Sequence, residues 1–219
     1  MKFAFQSLLV TVLALGLSQL AAAQMGMSAP DFAGVFTPVV GSGAAYEMTR
    51  EAGESTPFEI SVVGKEGSAY WIEYSMKQPH TDATVYLKNL TERQGDDVIM
   101  KRSILQAPGR PPMDMSSMMK MHPMQSAQSK ADMRAEAENL GVETITTPAG
   151  TFSCQHWRSK KDGSNYWLSD KITPWKLVKM SGKDQTMTLT RVITDAKTHI
   201  TGTPVSMEEM MRQRRSKPE

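Results

Sequence analysis

The eighteen residues VETITTPAGTFSCQHWRS, 142–159, decide how this chain is read. Two runs that alternate between apolar and polar residues flank the tetrapeptide Thr147-Pro148-Ala149-Gly150. Proline at position 148 suits the second position of a type I turn, and Gly150 suits the left-handed position after it. Together they predict a tight β-hairpin closed by a bulge. Phe152, Cys154 and His156, spaced by two, share one face of the second strand.

The same period of two runs outward in both directions. AAYEMTRE (44–51), PFEISVV (57–63) and SAYWIEYSM (68–76) place Tyr46, Met48, Phe58, Ile60, Val62, Tyr70, Ile72, Tyr74 and Met76 on single faces. DATVYLKNL (82–90) and DDVIMKRSIL (96–105) form a further hairpin around TERQG. SNYWLSD, WKLVKM and QTMTLTRVIT complete the series after the opening stretch. About nine or ten strands joined by short turns predict antiparallel meander pairing with one wet face and one covered face.

Two segments break the pattern. Residues 107–125, APGRPPMDMSSMMKMHPMQ, carry four prolines and no alternation. SAQSKADMRAEAENLG is rich in Ala, Glu, Lys and Met, which predicts a crossover helix over roughly residues 126–139 with Gly141 as its stop. The predicted fold class is therefore mainly β (α+β): a strongly twisted, curved antiparallel sheet around one crossover helix.

The N-terminus MKFAFQSLLVTVLALGLSQLAAAQ has the parts of a secretory signal: Lys2, an apolar run from Leu8 to Leu17, and Ala21-Ala22-Ala23 before a cleavage point. The apolar run is shorter than the roughly 20 residues a spanning helix needs. The expectation is a periplasmic or secreted protein, not membrane-spanning, cleaved after Ala23. Residues 24–219 then form one domain, with the Met-rich segment and helix at 111–140 and a helix or tail at 205–219. In the latter, Ser206 is the expected N-cap and Glu208 and Glu209 lie in the first turn.

Twenty-five basic against 23 acidic residues leave no concentrated basic surface, which argues against a nucleic-acid partner. The basic end MRQRRSKPE reads as a solvated tail, or as a weak contact for an anionic membrane surface. With the single cysteine Cys154 the fold has no internal disulfide and must rely on its core.

Chemistry-bearing patterns are sparse. The four histidines, His80, His122, His156 and His199, form no metalloprotease motif, and no nucleophile elbow or phosphate-cradling loop is present. Cys154 with His156 is the one pair that could serve as nucleophile and base or as two soft ligands, though Phe152 on the same face points to a core strand. Met115, Met118, Met119, Met121, His122 and Met124 could supply soft donors to Cu(I). Against copper, methionine is used throughout the chain, forms helices well and fills apolar gaps. No catalytic constellation is found, so a non-enzymatic protein is expected.

LGVETITTPAGTFSCQHWRSK (140–160), NYWLSDKITPWKLVKM (165–180) and THITGTP (198–204) resemble a group of uncharacterised exported bacterial proteins. That group looks like a branch of the LolA-like lipoprotein-carrier fold. The resemblance implies a half-open β-barrel with a helical segment over its concave face, and a hydrophobic cavity. Tyr46, Phe58, Tyr70, Ile72 and Tyr74 would line that face and hold a lipid, a lipoprotein acyl chain or another hydrophobic small molecule. A protein partner is the other expectation, and no catalytic residue is carried over.

Overall fold

The computed structural model describes residues 34–50, 53–78, 83–117, 128–206, 208–209 and 212. The expected signal segment lies outside them, as do His80, His122 and the stretch 118–127. The described chain is mainly β. Ten strands of four or more residues match the number expected from the alternation: β1 (Ser42–Arg50), β2 (Ser55–Glu66), β3 (Ala69–Lys77), β4 (Thr84–Gln94), β5 (Asp97–Gln106), β8 (Ala137–Thr147), β9 (Gly150–Ser159), β10 (Asn165–Leu168), β11 (Leu177–Ser181) and β12 (Gln185–Thr194). Three short strands join them, β6 (Met113–Asp114), β7 (Gln128–Lys130) and β13 (Val205–Ser206).

All thirteen belong to one sheet, in the order β13-β6-β5-β4-β3-β2-β1-β12-β11-β10-β9-β8, with β7 paired to β5 off this path. Every pairing is antiparallel except that of β13 with β6. Among the described residues β8 pairs only with β9, so the ladder does not close into a barrel. The sheet must nevertheless curl. From β7 to β8 the path crosses ten inter-strand spacings, about 48 Å if laid flat at ~4.8 Å each. Yet β7 ends at Lys130 and β8 begins at Ala137, a link that spans at most about 25 Å. The two ends are drawn toward each other, and the residues between them cross the gap.

The expected crossover helix over residues 126–139 is not what the described residues form. Residues 128–130 pair with β5, Met133–Glu136 make one 3-10 turn, and Ala137 already begins β8. The turn is N-capped by Asp132, whose carboxylate accepts from the Arg134 N–H at 3.0 Å. Ala131, Met133 and Ala137 are buried against the sheet. Helix propensity differs by only about 0–0.7 kcal/mol per residue among ordinary residues. Burying one Met side chain contributes about 1.5–3 kcal/mol. Packing therefore overrides composition here. Gly141, read as a helix stop, instead occupies a β-bulge between Asn139 and Gly141 at φ +104°, with the Asn139 side chain accepting from its N–H. A helix stop and this bulge both use the positive φ that glycine tolerates.

The hairpin at 142–159 forms, but without the expected bulge at its turn: the register runs unbroken from Thr146–Thr151 to Thr147–Gly150, and the shift in this ladder lies at Asn139/Gly141. Thr147 pairs with Gly150 across Pro148-Ala149, and Gly150 takes φ +127°. Phe152, Cys154 and His156 are buried while Thr151, Ser153 and Gln155 are exposed, so the alternation resolves into faces as predicted.

The buried apolar side chains of the described residues form one core. Tyr46, Phe58, Ile60, Val62, Ile72, Met187 and Leu189 are at most 1% exposed. Val35, Phe36, Ile172 and Trp175 pack into the same core. The segment at 34–37 is bonded to the β10–β11 loop by Val35 N–H to Trp175 O and Thr37 N–H to Pro174 O. Among the described residues no helix is long and apolar enough to cross a membrane.

Candidate functional site

Polar side chains gather at the β8–β9–β10 end of the sheet. Cross-strand register brings His156 of β9 beside Trp167 of β10, and Trp167 beside Lys179 of β11. The imidazole and indole stack with centroids 4.5 Å apart and planes 18° apart, and the Lys179 ammonium lies 5.2 Å from the indole centroid. Glu143 of β8 ties the row together: one oxygen meets His156 Nδ1 at 2.8 Å and the other accepts from Trp167 Nε1 at 2.8 Å. The remaining imidazole nitrogen, Nε2, faces Asn165 Oδ1 at 2.9 Å. Both ring nitrogens of His156 are thus committed to oxygens. The indole N–H, with the imidazole second, holds the Glu143 carboxyl below its usual range.

Cys154 shares the face of His156, as its spacing predicts, but no catalytic dyad assembles. The thiol is 1% exposed and, among the described residues, its hydrogen-bond acceptor is Phe152 O at 3.7 Å. Burial, reinforced by the Glu143 charge, pushes its pKa up to about 11. A nucleophilic cysteine needs the opposite shift.

A cleft of about 230 Å³ opens beside this row, where the 131–136 link passes the edge of the sheet. Its walls are Val35, Arg134, Val142, Ser153, Cys154, Gln155, Leu168, Ser169, Asp170 and Lys176. Arg134 is gripped by Asp132 through Nε and Nη2. Lys176 pairs with Asp170 at 2.5 Å. These contacts hold the Asp132 and Asp170 carboxyls below their usual range and raise the Arg134 guanidinium further.

The residues expected to line a ligand trough divide. Tyr46, Phe58 and Ile72 are wholly buried, and the Tyr46 hydroxyl donates to Leu177 O at 2.9 Å. Tyr70 and Tyr74 are half-buried and pack against the core. Tyr74 stacks on Phe58 at 6.1 Å, and burial pushes its hydroxyl up to about 12 despite a hydrogen bond with Trp175. Of the copper candidates, Met115 is half-buried, its backbone N–H donating to Ser103 O. Met118, Met119, Met121, His122 and Met124 lie outside the described residues. Among the described residues no group of three or more His, Cys, Asp or Glu side chains is arranged to hold a metal.

Sequence reasoning missed Glu73. Strand alternation places it opposite Ile72 and Tyr74, on the face expected to be wet, yet it is 1% exposed. The segment following β12 runs over it. Glu73 accepts from the His199 N–H at 2.8 Å, from His199 Nδ1 at 2.9 Å and from the Thr198 hydroxyl. The His199 ring stacks on Tyr86 at 5.0 Å, and Lys88 reaches Thr198. Farther along, Gln106 bonds Thr201, and Val205 N–H donates to Pro112 O. The conspicuous THITGTP string is this strap. Its polar anchor, 125 residues earlier in β3, carries no local signal.

No protein-family model matches the chain, and no curated protein matches it. Among solved structures, a candidate lipoprotein from Parabacteroides distasonis ATCC 8503 aligns at 15% identity over 73% of this chain and 99% of its own, with TM-score 0.34. A candidate exported protein with YmcC-like fold from Bacteroides fragilis NCTC 9343 aligns at 13% identity over 73% and 99%, with TM-score 0.35. Similarity of this degree assigns neither family nor activity.

Proposed function

We propose that this chain is an exported, non-catalytic protein of the periplasm or extracellular space, acting as a binding scaffold through its outer surface. The observation that carries this reading is the packed interior. Tyr46, Phe58 and Ile72 sit at 0–1% exposure, so a lipid on the concave face would have to part the side chains that hold the two halves of the sheet together. Export rests on the Lys2, Leu8–Leu17 and Ala21–Ala23 pattern. The absence of catalysis is supported by a thiol kept protonated and by an imidazole with both nitrogens engaged. The LolA-like carrier version, with an acyl chain against Tyr46, Phe58, Tyr70, Ile72 and Tyr74, requires the sheet to open.

One experiment separates the two. The protein is purified from the periplasm, weighed by native mass spectrometry, and then incubated with a fluorescent long-chain fatty acid. A bare chain that takes up no acyl ligand is the expected result. Recovery of one lipid per chain, or saturable uptake lost on Ile72→Trp, would replace the surface reading with the carrier reading.

A further inference from the structure

The cleft between the 131–136 link and the β9–β10 edge has the features of a built binding site. Ser169 is only 6% exposed, lines the cleft, and its hydroxyl has no partner among the described residues. Arg134 spends Nε and Nη2 on Asp132, which leaves Nη1 without a partner among the described residues. Lys176 spends one of its three donors on Asp170. That aspartate is 90% exposed at its side chain, whereas Lys176 is 21% exposed. An exposed partner of this kind is worth little and exchanges readily.

Lys176 also has φ +59°, a left-handed conformation that a side-chain-bearing residue adopts at a cost. The loop before it is closed by Ser169 N–H donating to Lys176 O at 2.7 Å. Ser169 and Lys176 are thereby fixed as a pair on one wall. Val35 and Leu168 supply apolar surface beside them.

We propose that this cleft binds a small amphipathic carboxylate of amino-acid or short branched-acid size. Its volume, about 230 Å³, equals roughly seven or eight waters at ~30 Å³ each and falls below the usual range for drug-sized ligands. The ligand carboxylate displaces Asp170 from Lys176 and accepts from Arg134 Nη1 and the Ser169 hydroxyl, and its aliphatic part lies on Val35 and Leu168. One ammonium and one spare guanidinium nitrogen match a single negative charge. A phosphate dianion would face Asp132 and Asp170 with one charge too many. The proposal goes beyond the scaffold reading and stands apart from it, because lipid uptake by the interior would leave these polar groups untouched.

The test is a titration of the isotope-labelled protein, followed by amide chemical shifts, with three probes: 4-methylpentanoate, its uncharged amide, and inorganic phosphate. The expected result is saturable movement of the Ser153, Ser169 and Lys176 amides with the carboxylate, and binding of the amide weaker by about tenfold or more. Lys176→Gln and Arg134→Gln should each weaken the carboxylate severalfold. Ser169→Ala, which removes one hydroxyl from a folded wall, should weaken it by a smaller factor at unchanged thermal stability. No movement at about 10 mM carboxylate overturns the proposal. Equal binding of acid and amide, phosphate binding as tightly as the acid, or unaltered binding in Ser169→Ala overturns it equally.

Discussion

Replacing Glu73 by alanine should unlatch the segment that crosses the back of the sheet. The carboxylate is 1% exposed and receives three donors, from His199 N–H, His199 Nδ1 and the Thr198 hydroxyl. Hydrogen bonds to a charged group contribute about 1.5–3 kcal/mol each. His199 is half exposed, so water recovers part of that loss once the strap lifts. The net cost should be about 3 kcal/mol for alanine, within the range for breaking one side of a buried charged contact. Glu73→Gln keeps one carbonyl acceptor and should cost about half as much. In a domain of this size 1 kcal/mol corresponds to about 2–4 °C, so Tm should fall by about 6–12 °C for alanine. The same variant should lose hydrogen-exchange protection at the His199 amide before the Ile60 and Ile72 amides, because the strap opens without unfolding the core. A Tm within about 2 °C of the parent, with His199 protection intact, would refute the latch. A rise in stability would show instead that desolvating the carboxylate costs more than its three bonds return.

Four further outcomes follow from single features. Cys154 should resist iodoacetamide at neutral pH and label as pH approaches about 11, read by intact mass; because its folded value is raised, the stability it contributes is present below about 9 and is lost as pH climbs through 11, and fast labelling at pH 7 contradicts this. Glu143 is shifted the other way, so its contribution is present above the ordinary carboxylate range and is lost as acid protonates it; Glu143→Gln should flatten the acid-side change in Trp167 emission, and an unchanged profile argues against the network. A Cβ on Gly43 would sit 2.4 Å from Ile60 O, so Gly43→Ala should lower the urea midpoint by an amount equivalent to about 1–3 kcal/mol, and a neutral substitution would mean the β1–β2 spacing is wrong. Changing Met118, Met119 and Met121 together to Leu should leave Cu(I) affinity unaltered in a chelator competition; a tenfold loss would make copper handling the better reading.

How legible this structure was in the amino-acid order depended on the range of the interaction. Period-two runs such as PFEISVV announce a strand because neighbours on one face must all find the same core, and Phe58, Ile60 and Val62 do so at 0–1% exposure. The Pro148–Gly150 turn is equally local. Residues 128–139 misled because Ala, Glu and Met favour a helix only weakly, whereas the backbone of β5 and a pocket for Met133 came from parts of the chain far away. Cys154 and His156 share a side, as spacing requires. Whether they act on each other depended on Glu143 and Asn165, which capture the imidazole first. Ser169 and Lys176 are joined through their own loop, whereas Arg134 reaches them from the link before β8 across the β8–β9–β10 ladder, and nothing in its local sequence signals the other two.

The pairing of β1 with β12 has a consequence for biogenesis. Ser42 lies opposite Thr194, so the first long strand waits for nearly the last before its second neighbour exists. Such distant contacts slow the search for the native state, since the intervening chain must be ordered before they reward it. A polypeptide leaving a secretion channel N-terminus first would present β1 bare on one side until residue 194 had emerged. Under the proposed export, maturation would be post-translocational, sensitive to C-terminal truncation before β12, and dependent on whatever shields an unmatched hydrophobic ribbon in the meantime.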